Sequence, residues 1–332
     1  MINEGKKKFS IILPVRNGSE YIKECVQSIL AQTFTDFNLL VLDNKSTDGT
    51  LEWLQSITDK RVEIYASQSS LSIEKNWGRI KDIPKNEFMT MIGHDDLLHP
   101  GYLQEMNELI NKHPTASLYQ THFDYIDANG RFVRDCLLMN EVQHAHEFLA
   151  CQMKQAIDST GTGYMMRSAD FDALGGMPVQ YPNLIFSDYQ LWVSLIAKGY
   201  KATSPLKTFS YRLHASLSYQ TNGMAYQEAF TIYVRFLLQL MKTNTSVKTS
   251  IQQYGKQFML YYCEALSHRL LKTDSKQRSL TVSDFIKKCK TLAAEFIPGQ
   301  HFLPMKKFRI WIAAVLDNSA LGRELFQLYK KI

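Results

Sequence analysis

The first hundred residues alternate between short apolar runs and amphipathic segments, and this alternation constrains the fold more than any other feature of the sequence. From Tyr21 onward, for example, apolar residues recur at the spacing of one helix face. The apolar runs are rich in β-forming residues and have the length of buried strands. They lie at residues 9–15, 38–42, 62–66 and 87–92. Strands that alternate with helices predict right-handed crossovers and a mostly parallel central sheet flanked by helices, an α/β fold.

Polar residues follow three of these runs, at the point where each predicted strand ends. They are Arg16, Asn17, Asp43, Asn44, Asp95 and Asp96. The carboxyl ends of parallel strands meet at one edge of a sheet, and ligands bind at that edge in folds of this class. The sequence therefore predicts a binding site that these side chains share.

The adjacent carboxylates of Asp95 and Asp96 indicate a cation site. Two neighbouring carboxylates repel each other and are costly without a cation nearby. Magnesium and manganese ions prefer carboxylate oxygens and also bridge substrate phosphates. A solvated acidic turn that caps the helix near Pro100 is the alternative, but the position level with Asp43 favours the cation site. Asp43 and Asn44 either hydrogen-bond a base or ribose, or belong to a turn.

The bulk composition sets the class of protein without deciding its partner. The chain has 332 residues, of which 45% are hydrophobic, and a net charge of +6. Such a basic excess suits phosphorylated substrates, an anionic membrane surface or a nucleic acid. Five scattered cysteines without a C-x-x-C pair indicate reduced thiols. Neither a signal peptide nor a membrane-spanning run is expected, so we expect a cytoplasmic protein.

Helical periodicity dominates after about Gly223, with many lysines and few strand signals. We therefore predict two regions, residues 1–222 and a C-terminal helical appendage at residues 223–332. Within the appendage, residues 305–316 are basic at the start and apolar afterwards. This segment suits either the surface of a membrane, at the inner face of the plasma membrane, or packing onto the catalytic region or a second subunit. The formation of a homodimer is therefore one of the alternatives that the sequence leaves open.

Three blocks together resemble family 2 of the glycosyltransferases, inverting enzymes of GT-A fold. They are residues 10–17 (SIILPVRN) with 32–34 (QTF), residues 42–50 (LDNKSTDGT), and Asp95–Asp96 at the D-x-D-type metal motif. The resemblance covers roughly residues 8–220 and implies a GT-A domain. It also implies a hexosyltransferase-type enzyme that moves a sugar from a nucleotide sugar to a hydroxyl of a glycan or lipid-linked acceptor, as in bacterial cell-surface polysaccharide synthesis. A UDP-sugar is the expected donor, and a dTDP-sugar is the alternative.

The resemblance also implies roles for individual residues in donor binding. The nucleotide-sugar-binding residues it implies are Pro14, Val15, Arg16, Asp43, Asn44, Asn76 and Asp95. Relatives often carry a second acid where this chain has Asn44, so the identity of the nucleotide base stays open. Asp96 and His214 would bind the divalent metal, Mn²⁺ or Mg²⁺, and a structural role is the alternative for His214.

Asp188 is the implied catalytic base. Residues 187–192 resemble a family block that begins with Glu-Asp, with Ser187 in place of the Glu. The dipole of the helix that follows is expected to keep the Asp188 carboxylate ionised. An N-cap without a catalytic role is the alternative for this residue.

Three other functions compete with sugar transfer. A nucleotide-dependent oxidoreductase is disfavoured because no G-x-G-x-x-G follows the first predicted strand. A basic nucleic-acid-binding protein is disfavoured because the basic residues are spread out and form no known module, so no nucleic-acid partner is expected. A nucleotide-binding protein of the same fold without transferase activity is disfavoured because both Asp96 and Asp188 are present.

Overall fold

The structure is a computed structural model, and it describes residues 7–213, 223–273 and 278–329. The strands in this part of the chain are β1 (Phe9–Val15), β2 (Phe37–Asp43), β3 (Val62–Ile64), β4 (Phe88–Met91), β5 (Leu97–Leu98), β6 (Leu118–Ile126), β7 (Phe132–Asp135), β8 (Val142–Gln143), β9 (Tyr164–Arg167) and β10 (Lys201–Arg212).

The helices in the same part of the chain are α1 (Ile22–Leu30), α2 (Thr50–Gln55), α3 (Ile73–Gly78), α4 (Tyr102–Lys112), α5 (Ala145–Met153), α6 (Ser168–Ala173), α7 (Ser187–Ile196), α8 (Gly223–Thr243), α9 (Thr245–Lys272), α10 (Val282–Phe296), α11 (Phe308–Asp317) and α12 (Ala320–Tyr329). Short 3₁₀ turns lie at Arg79–Asp82, Pro182–Leu184 and Pro304–Lys306.

The strands form one mixed sheet in the order β3-β2-β1-β4-β9-β6-β10-β5, with β7 beside β6 and β8 beside β10. β1 pairs in parallel with β2 and β4, and β2 pairs in parallel with β3. β6 and β10 form a second parallel block, and β9 lies antiparallel between the two blocks. The predicted α/β class is confirmed. The antiparallel β9 was not predicted, because four residues carry too short a pattern.

β1 lies at the centre of the first parallel block, and its sequence explains why. All seven residues of the strand are buried, as expected for a parallel strand covered on both faces. Pro14 is tolerated because Ile12, which faces the same neighbour, already makes the last register pair with β4. The missing N–H of Pro14 therefore lies beyond the end of β4. Pairing with β2 continues to Val15 opposite Asp43, so these two strands end level.

The described residues divide into two compact units. The sheet unit contains the chain up to Ala145, Ile157–Gln180, and the stretch from Ser187 to the end of β10. The helical unit contains α8 to α12 together with His146–Ala156 and Tyr181–Phe186. The predicted division at residues 222 and 223 did not include these two internal segments, because the apolar pattern of α5 does not say which core it joins.

Aromatic side chains form much of the core of the helical unit. The rings of Phe230 and Tyr262 stack with centroids 5.0 Å apart, and the Phe258 ring lies 4.9 Å from that of Tyr262. α5 joins this core through Gln152, whose side-chain oxygen accepts a hydrogen bond from the Tyr233 hydroxyl at 3.2 Å. Among the helices of the described ranges, none has the length and hydropathy that a bilayer crossing requires.

Gly163 is a backbone position in the sheet unit where a side chain would be both strained and crowded. Its φ is +80°, and an added Cβ would lie 2.8 Å from the Phe209 ring. We expect Gly163→Ala to lower the free energy of unfolding by about 2–4 kcal/mol, because it adds left-handed strain and overpacks the ring. Gly175→Ala is the control, since φ is +85° there and an added Cβ meets nothing within 4 Å. It should cost about 1–2 kcal/mol. Equal losses in urea denaturation would contradict the ring contact.

Candidate active site

The loops that follow β1 and β2 are tied to each other by hydrogen bonds. The backbone N–H of Asn17 donates to Ser46 Oγ at 2.9 Å, and the backbone N–H of Thr47 donates to the side-chain oxygen Oδ1 of Asn17 at 2.9 Å. The Gly18 amide donates to Thr50 Oγ1 at 2.9 Å. The two loops therefore form one rim at the carboxyl edge of the sheet, where the sequence predicts a binding site.

Asp43 ends β2 at this rim, and its side chain is fully buried. Its Oδ2 atom accepts a hydrogen bond from the Ser46 amide at 3.2 Å. Its Oδ1 atom has no hydrogen-bond partner among the described residues. A buried acceptor that is left unpaired costs about 1–3 kcal/mol, so an N–H or O–H group of a ligand would recover free energy by donating to Asp43.

Three more of the predicted nucleotide-sugar-binding residues lie on the same rim. Pro14 and Val15 are buried at the end of β1, and Arg16 is exposed directly after it. A Cβ added at Gly18 would lie 2.8 Å from Val15 Cγ2 and 2.9 Å from His94 Cδ2. The missing side chain of Gly18 therefore lets the loop after β4 approach the loop after β1.

The two predicted amide side chains, Asn44 and Asn76, are buried and bonded to the backbone. Asn44 Nδ2 donates to Leu71 O at 2.9 Å, and the Leu71 amide donates to Asn44 Oδ1 at 2.8 Å. Asn76 Nδ2 donates to Leu42 O at 3.4 Å. Both side chains hold loops beside Asp43, and their contact with a nucleotide stays a prediction.

Arg79 belongs to the same corner of the site and was not predicted. Its guanidinium donates to Asp43 O at 3.2 Å, Asn76 Oδ1 at 2.9 Å and Tyr65 O at 2.5 Å. Burial lowers the pKa of Arg79, and the Asp43 carboxylate opposes this shift. The available signal was a basic residue directly after α3, three residues beyond the predicted Asn76.

Asp96 is 2% exposed, and both of its carboxylate oxygens are hydrogen-bonded. Oδ2 accepts from Thr162 Oγ1 at 2.7 Å, and Oδ1 accepts from the Arg212 amide at 3.1 Å. Burial raises the pKa of Asp96 well above its usual range, and the charge of Asp95 raises it further. Asp95 is partly exposed. The resemblance assigned the metal to Asp96 and nucleotide-sugar binding to Asp95, whereas the structure makes Asp95 the more accessible carboxylate.

The donor set at this pair fits a divalent cation of the magnesium or manganese class. One or two carboxylates hold such an ion when substrate phosphates and water complete its shell. The described residues contain no group of three or more His, Cys, Asp or Glu side chains that could hold a metal, so the protein alone does not form a closed cage there. The other predicted ligand, His214, lies outside the described residues.

Arg212, the last residue of β10, is 3% exposed and joins several segments around the acidic pair. Its Nε donates to Asp95 O at 2.7 Å, its Nη1 to Asp127 O at 3.3 Å, and its Nη2 to Glu24 Oε2 at 2.7 Å. Its guanidinium also lies over the Tyr21 ring, 4.7 Å from the centroid. Arg212 was not predicted as a site residue, because the prediction for this part of the chain concerned His214.

Asp188 lies in the first turn of α7, as predicted. Burial raises the pKa of Asp188 to about 6, although backbone N–H groups of Asp188 and Tyr189 donate to the carboxylate and lower it. The helix dipole was expected to keep this group ionised, and a pKa of about 6 leaves it mostly ionised at neutral pH, although burial opposes the dipole. A carboxylate that titrates near neutral pH is suited to accept a proton in catalysis.

The loop before β9 connects Asp188 to the acidic pair. A Cβ added at Gly161 would lie 3.8 Å from Asp188 Oδ2. The next residue of that loop, Thr162, donates its hydroxyl to Asp96. Two adjacent residues of one loop therefore approach the predicted base and the predicted metal ligand.

Tyr211 lies among the same charges and was not predicted as a site residue. Burial raises the pKa of the Tyr211 phenol, and nearby negative charges raise it further. Those charges belong to Asp96, Asp95 and Asp188. The phenol therefore lies close to the three carboxylates of the candidate site.

We expect Arg212→Met to lower the free energy of unfolding by about 2–4 kcal/mol, because the carbonyl groups of Asp95 and Asp127 would lose their buried donors. Arg134→Met is the matched control. Arg134 bonds Asp158 at 2.8 and 3.0 Å, but its side chain is 49% exposed, so its loss should cost about 1 kcal/mol or less. Urea denaturation measures both, and equal losses would contradict the role of Arg212.

Comparison with known proteins finds a family that the first half of the chain resembles. Residues 10–174 match the profile of Glycosyl transferase family 2. An uncharacterized glycosyltransferase of Rickettsia typhi is 34% identical over 103 residues, which are 31% of this chain and 32% of that protein. Glycosyltransferase GlyG of Streptococcus pneumoniae is 24% identical over 127 residues, which are 37% of this chain and 42% of that protein. The chain spans a third or less of the length of the first curated relatives it matches.

Solved structures share the fold over most of the chain. S. aureus TarS 1-349 in complex with UDP-GlcNAc is 14% identical, with a TM-score of 0.64 over 93% of this chain and 90% of that one. Mannosyltransferase PcManGT from Pyrobaculum calidifontis, in complex with GDP-Man and Mn²⁺, is 14% identical, with a TM-score of 0.54 over 99% of this chain and 89% of that one. This likeness confirms the GT-A architecture. Together, these matches show that residues 10–174 are similar to glycosyl transferase family 2 and that the chain shares the fold of glycosyltransferases of known structure.

Proposed function

We propose that this chain is an inverting glycosyltransferase that moves a sugar from a UDP-sugar to a hydroxyl group of a glycan or lipid-linked acceptor. The observation that carries the proposal is the position of Asp188. Its carboxylate has a pKa of about 6 and lies beside the loop that also donates to Asp96. A proton acceptor next to an acidic pair combines the base and the metal ligands that sugar transfer to a hydroxyl needs.

The unpaired Oδ1 atom of Asp43 supports a UDP-sugar as donor. This buried atom is a hydrogen-bond acceptor without a partner among the described residues, and the imide N–H of uracil or thymine is a donor of the matching kind. TarS is complexed with UDP-GlcNAc and the Pyrobaculum calidifontis enzyme with GDP-Man, so relatives of this fold differ in their nucleotide. A dTDP-sugar is the alternative donor for this chain.

Asp95 and Asp96 would hold Mn²⁺ or Mg²⁺ together with the diphosphate of the donor. When bound, the ion neutralises negative charge that develops on the departing nucleoside diphosphate. The oxygen ligands of the pair support this assignment, and Mn²⁺ is present in the complex of the Pyrobaculum calidifontis enzyme. Thr162 and the Arg212 amide orient Asp96 through its two oxygens, and Asp95 is left partly exposed toward solvent.

In the proposed reaction, Asp188 accepts the proton of the acceptor hydroxyl while the hydroxyl oxygen bonds to the anomeric carbon. The bond from that carbon to the diphosphate oxygen breaks, and its electron pair leaves with the nucleoside diphosphate. Because attack and departure occur on opposite faces of the sugar, the configuration at the anomeric carbon inverts. The proton on Asp188 then passes to solvent.

We expect Asp188→Asn to lower kcat by about 10²- to 10⁴-fold, because the amide does not accept the proton, while the affinity for UDP stays unchanged. In the unmodified chain, kcat/KM should fall about tenfold per pH unit below pH 6 as the carboxylate becomes protonated. Release of UDP from UDP-hexose or UDP-N-acetylhexosamine measures both effects.

Two observations separate a base from an N-cap at Asp188. Its pKa is raised on folding, so the ionised form destabilises the fold above pH 6, and Asp188→Asn should be at least as stable as the unmodified chain at pH 8. Asp170→Asn, in the first turn of α6, is the control and should leave turnover unchanged. Near-normal turnover in Asp188→Asn would remove the base assignment.

We expect Asp95→Asn and Asp96→Asn each to weaken the Mn²⁺-dependent binding of UDP by about tenfold or more, equivalent to 1.4 kcal/mol, because each loses the charge of a metal ligand. Asp135→Asn, exposed on β7 and paired with Lys207, should bind UDP normally. Titration calorimetry with and without Mn²⁺ gives the affinities, and the same titration with dTDP and GDP tests the base. Unchanged affinity in both acidic-pair variants would exclude the pair as the metal site.

A further inference from the structure

α11 is apolar on both of its sides. The inner side is buried and consists of Ile310, Ala313, Ala314 and Asp317. At 3.6 residues per turn, the opposite side presents Phe308, Trp311 and Val315, which are 67%, 45% and 45% exposed. The rings of Phe308 and Trp311 lie side by side with centroids 5.9 Å apart. A surface helix normally carries polar residues on the side that faces water. Because the outer side of α11 is apolar instead, it is a candidate for contact with a binding partner.

The exposed apolar surface continues into the segment before the helix. Leu303 and Met305 are 48% and 40% exposed and flank the 3₁₀ turn that leads into α11. We call the five exposed side chains the apolar ridge, and they are Leu303, Met305, Phe308, Trp311 and Val315. Exposed apolar patches on a folded protein mark sites of contact with another protein or a membrane.

Cationic side chains border the apolar ridge at its N-terminal end. Lys306 and Lys307 are exposed. Arg309 also reaches solvent, although it pairs with Glu264 at 3.1 Å. The one acid within α11, Asp317, is buried and pairs with Arg278. The outer side of α11 therefore combines apolar groups with positive charge and has no negative charge of its own.

We propose that the apolar ridge and its two lysines bind the surface of a bilayer that contains anionic lipids. A helix of this kind lies in the plane of the headgroups, with its aromatic and aliphatic side chains in the acyl boundary. The lysines bind the negative surface potential. A twofold dimer through the same patch is a poorer match, because an isologous contact repeats one surface on both sides and supplies no acid for Lys306 and Lys307.

Sedimentation of the full chain with vesicles tests the proposal without any transfer assay. We expect the chain to bind vesicles of phosphatidylglycerol and phosphatidylcholine, and to bind much less to phosphatidylcholine alone. Binding should weaken as salt is raised, because the electrostatic part is screened. Lys306→Gln/Lys307→Gln should lower the partition coefficient by about 30-fold, from about 1 kcal/mol per lysine. Phe308→Ser/Trp311→Ser should lower it by about tenfold or more.

Matched variants separate the patch from general charge and hydrophobicity. Lys288→Gln/Lys290→Gln removes the same charge from exposed positions of α10 and should change binding less than threefold, an order-of-magnitude bound for charges off the contact. Leu206→Ser removes an apolar group that is 54% exposed on β10 and should leave binding unchanged. Equal losses in these controls would overturn the assignment to α11.

Two other outcomes would also overturn the proposal. One is binding to anionic vesicles that Phe308→Ser/Trp311→Ser leaves intact. The other is a concentration-dependent dimer, seen by analytical ultracentrifugation, that the same double variant abolishes in a chain that does not bind vesicles. In that case a second copy of the chain, and not lipid, covers the apolar ridge. The substituted side chains are exposed, so both variants should unfold at the same urea concentration as the unmodified chain.

Discussion

The buried guanidinium of Arg212 is the interaction on which the candidate site depends. A charged group in the interior is tolerated only when hydrogen bonds and an opposite charge compensate its lost hydration. Three segments compensate it here, namely α1 through Glu24, the loop after β4 through Asp95, and the turn after β6 through Asp127. Because one rigid planar group bonds all three, the position of the acidic pair is set by β10, a strand far along the chain.

The acidic pair and Asp188, the proposed base, have different surroundings, and the roles proposed for them differ accordingly. Asp96 is buried, and both of its carboxylate oxygens accept hydrogen bonds from other residues of the fold, whereas Asp95 is partly exposed to solvent. Asp188 is held by backbone N–H groups, yet burial keeps its pKa near neutral. Like-charged groups that share one site repel each other. A cation at the pair would offset this repulsion, and for that reason donor binding and metal binding are expected to reinforce each other.

The strand ends that carry the candidate site were predictable from the sequence, and the groups that hold its side chains in place were not. Strand ends follow from local patterns of apolar residues, so Asp43, Asp95 and the start of α7 were found. Thr162 and Arg212 contact Asp96 from 66 and 116 residues away, and no local pattern encodes such pairs. The exposure of Asp95 relative to Asp96 also depends on these distant contacts. The sequence could not show this difference, so the roles of the two aspartates were predicted without it. β9 was missed because its four residues are too few to show the pattern of a strand.

The two internal segments of the helical unit affect how the chain is made. The polypeptide enters that unit at His146–Ala156, leaves it to complete the sheet, returns at Tyr181–Phe186, and enters it finally at α8. During synthesis α5 therefore leaves the ribosome long before Tyr233, the residue that bonds its Gln152. The C-terminal helices are not a detachable tail, because a fragment that ends before α8 would retain α5 without its hydrogen-bond partner. Expression of the sheet unit alone would require redesign of α5 as well as a stop codon.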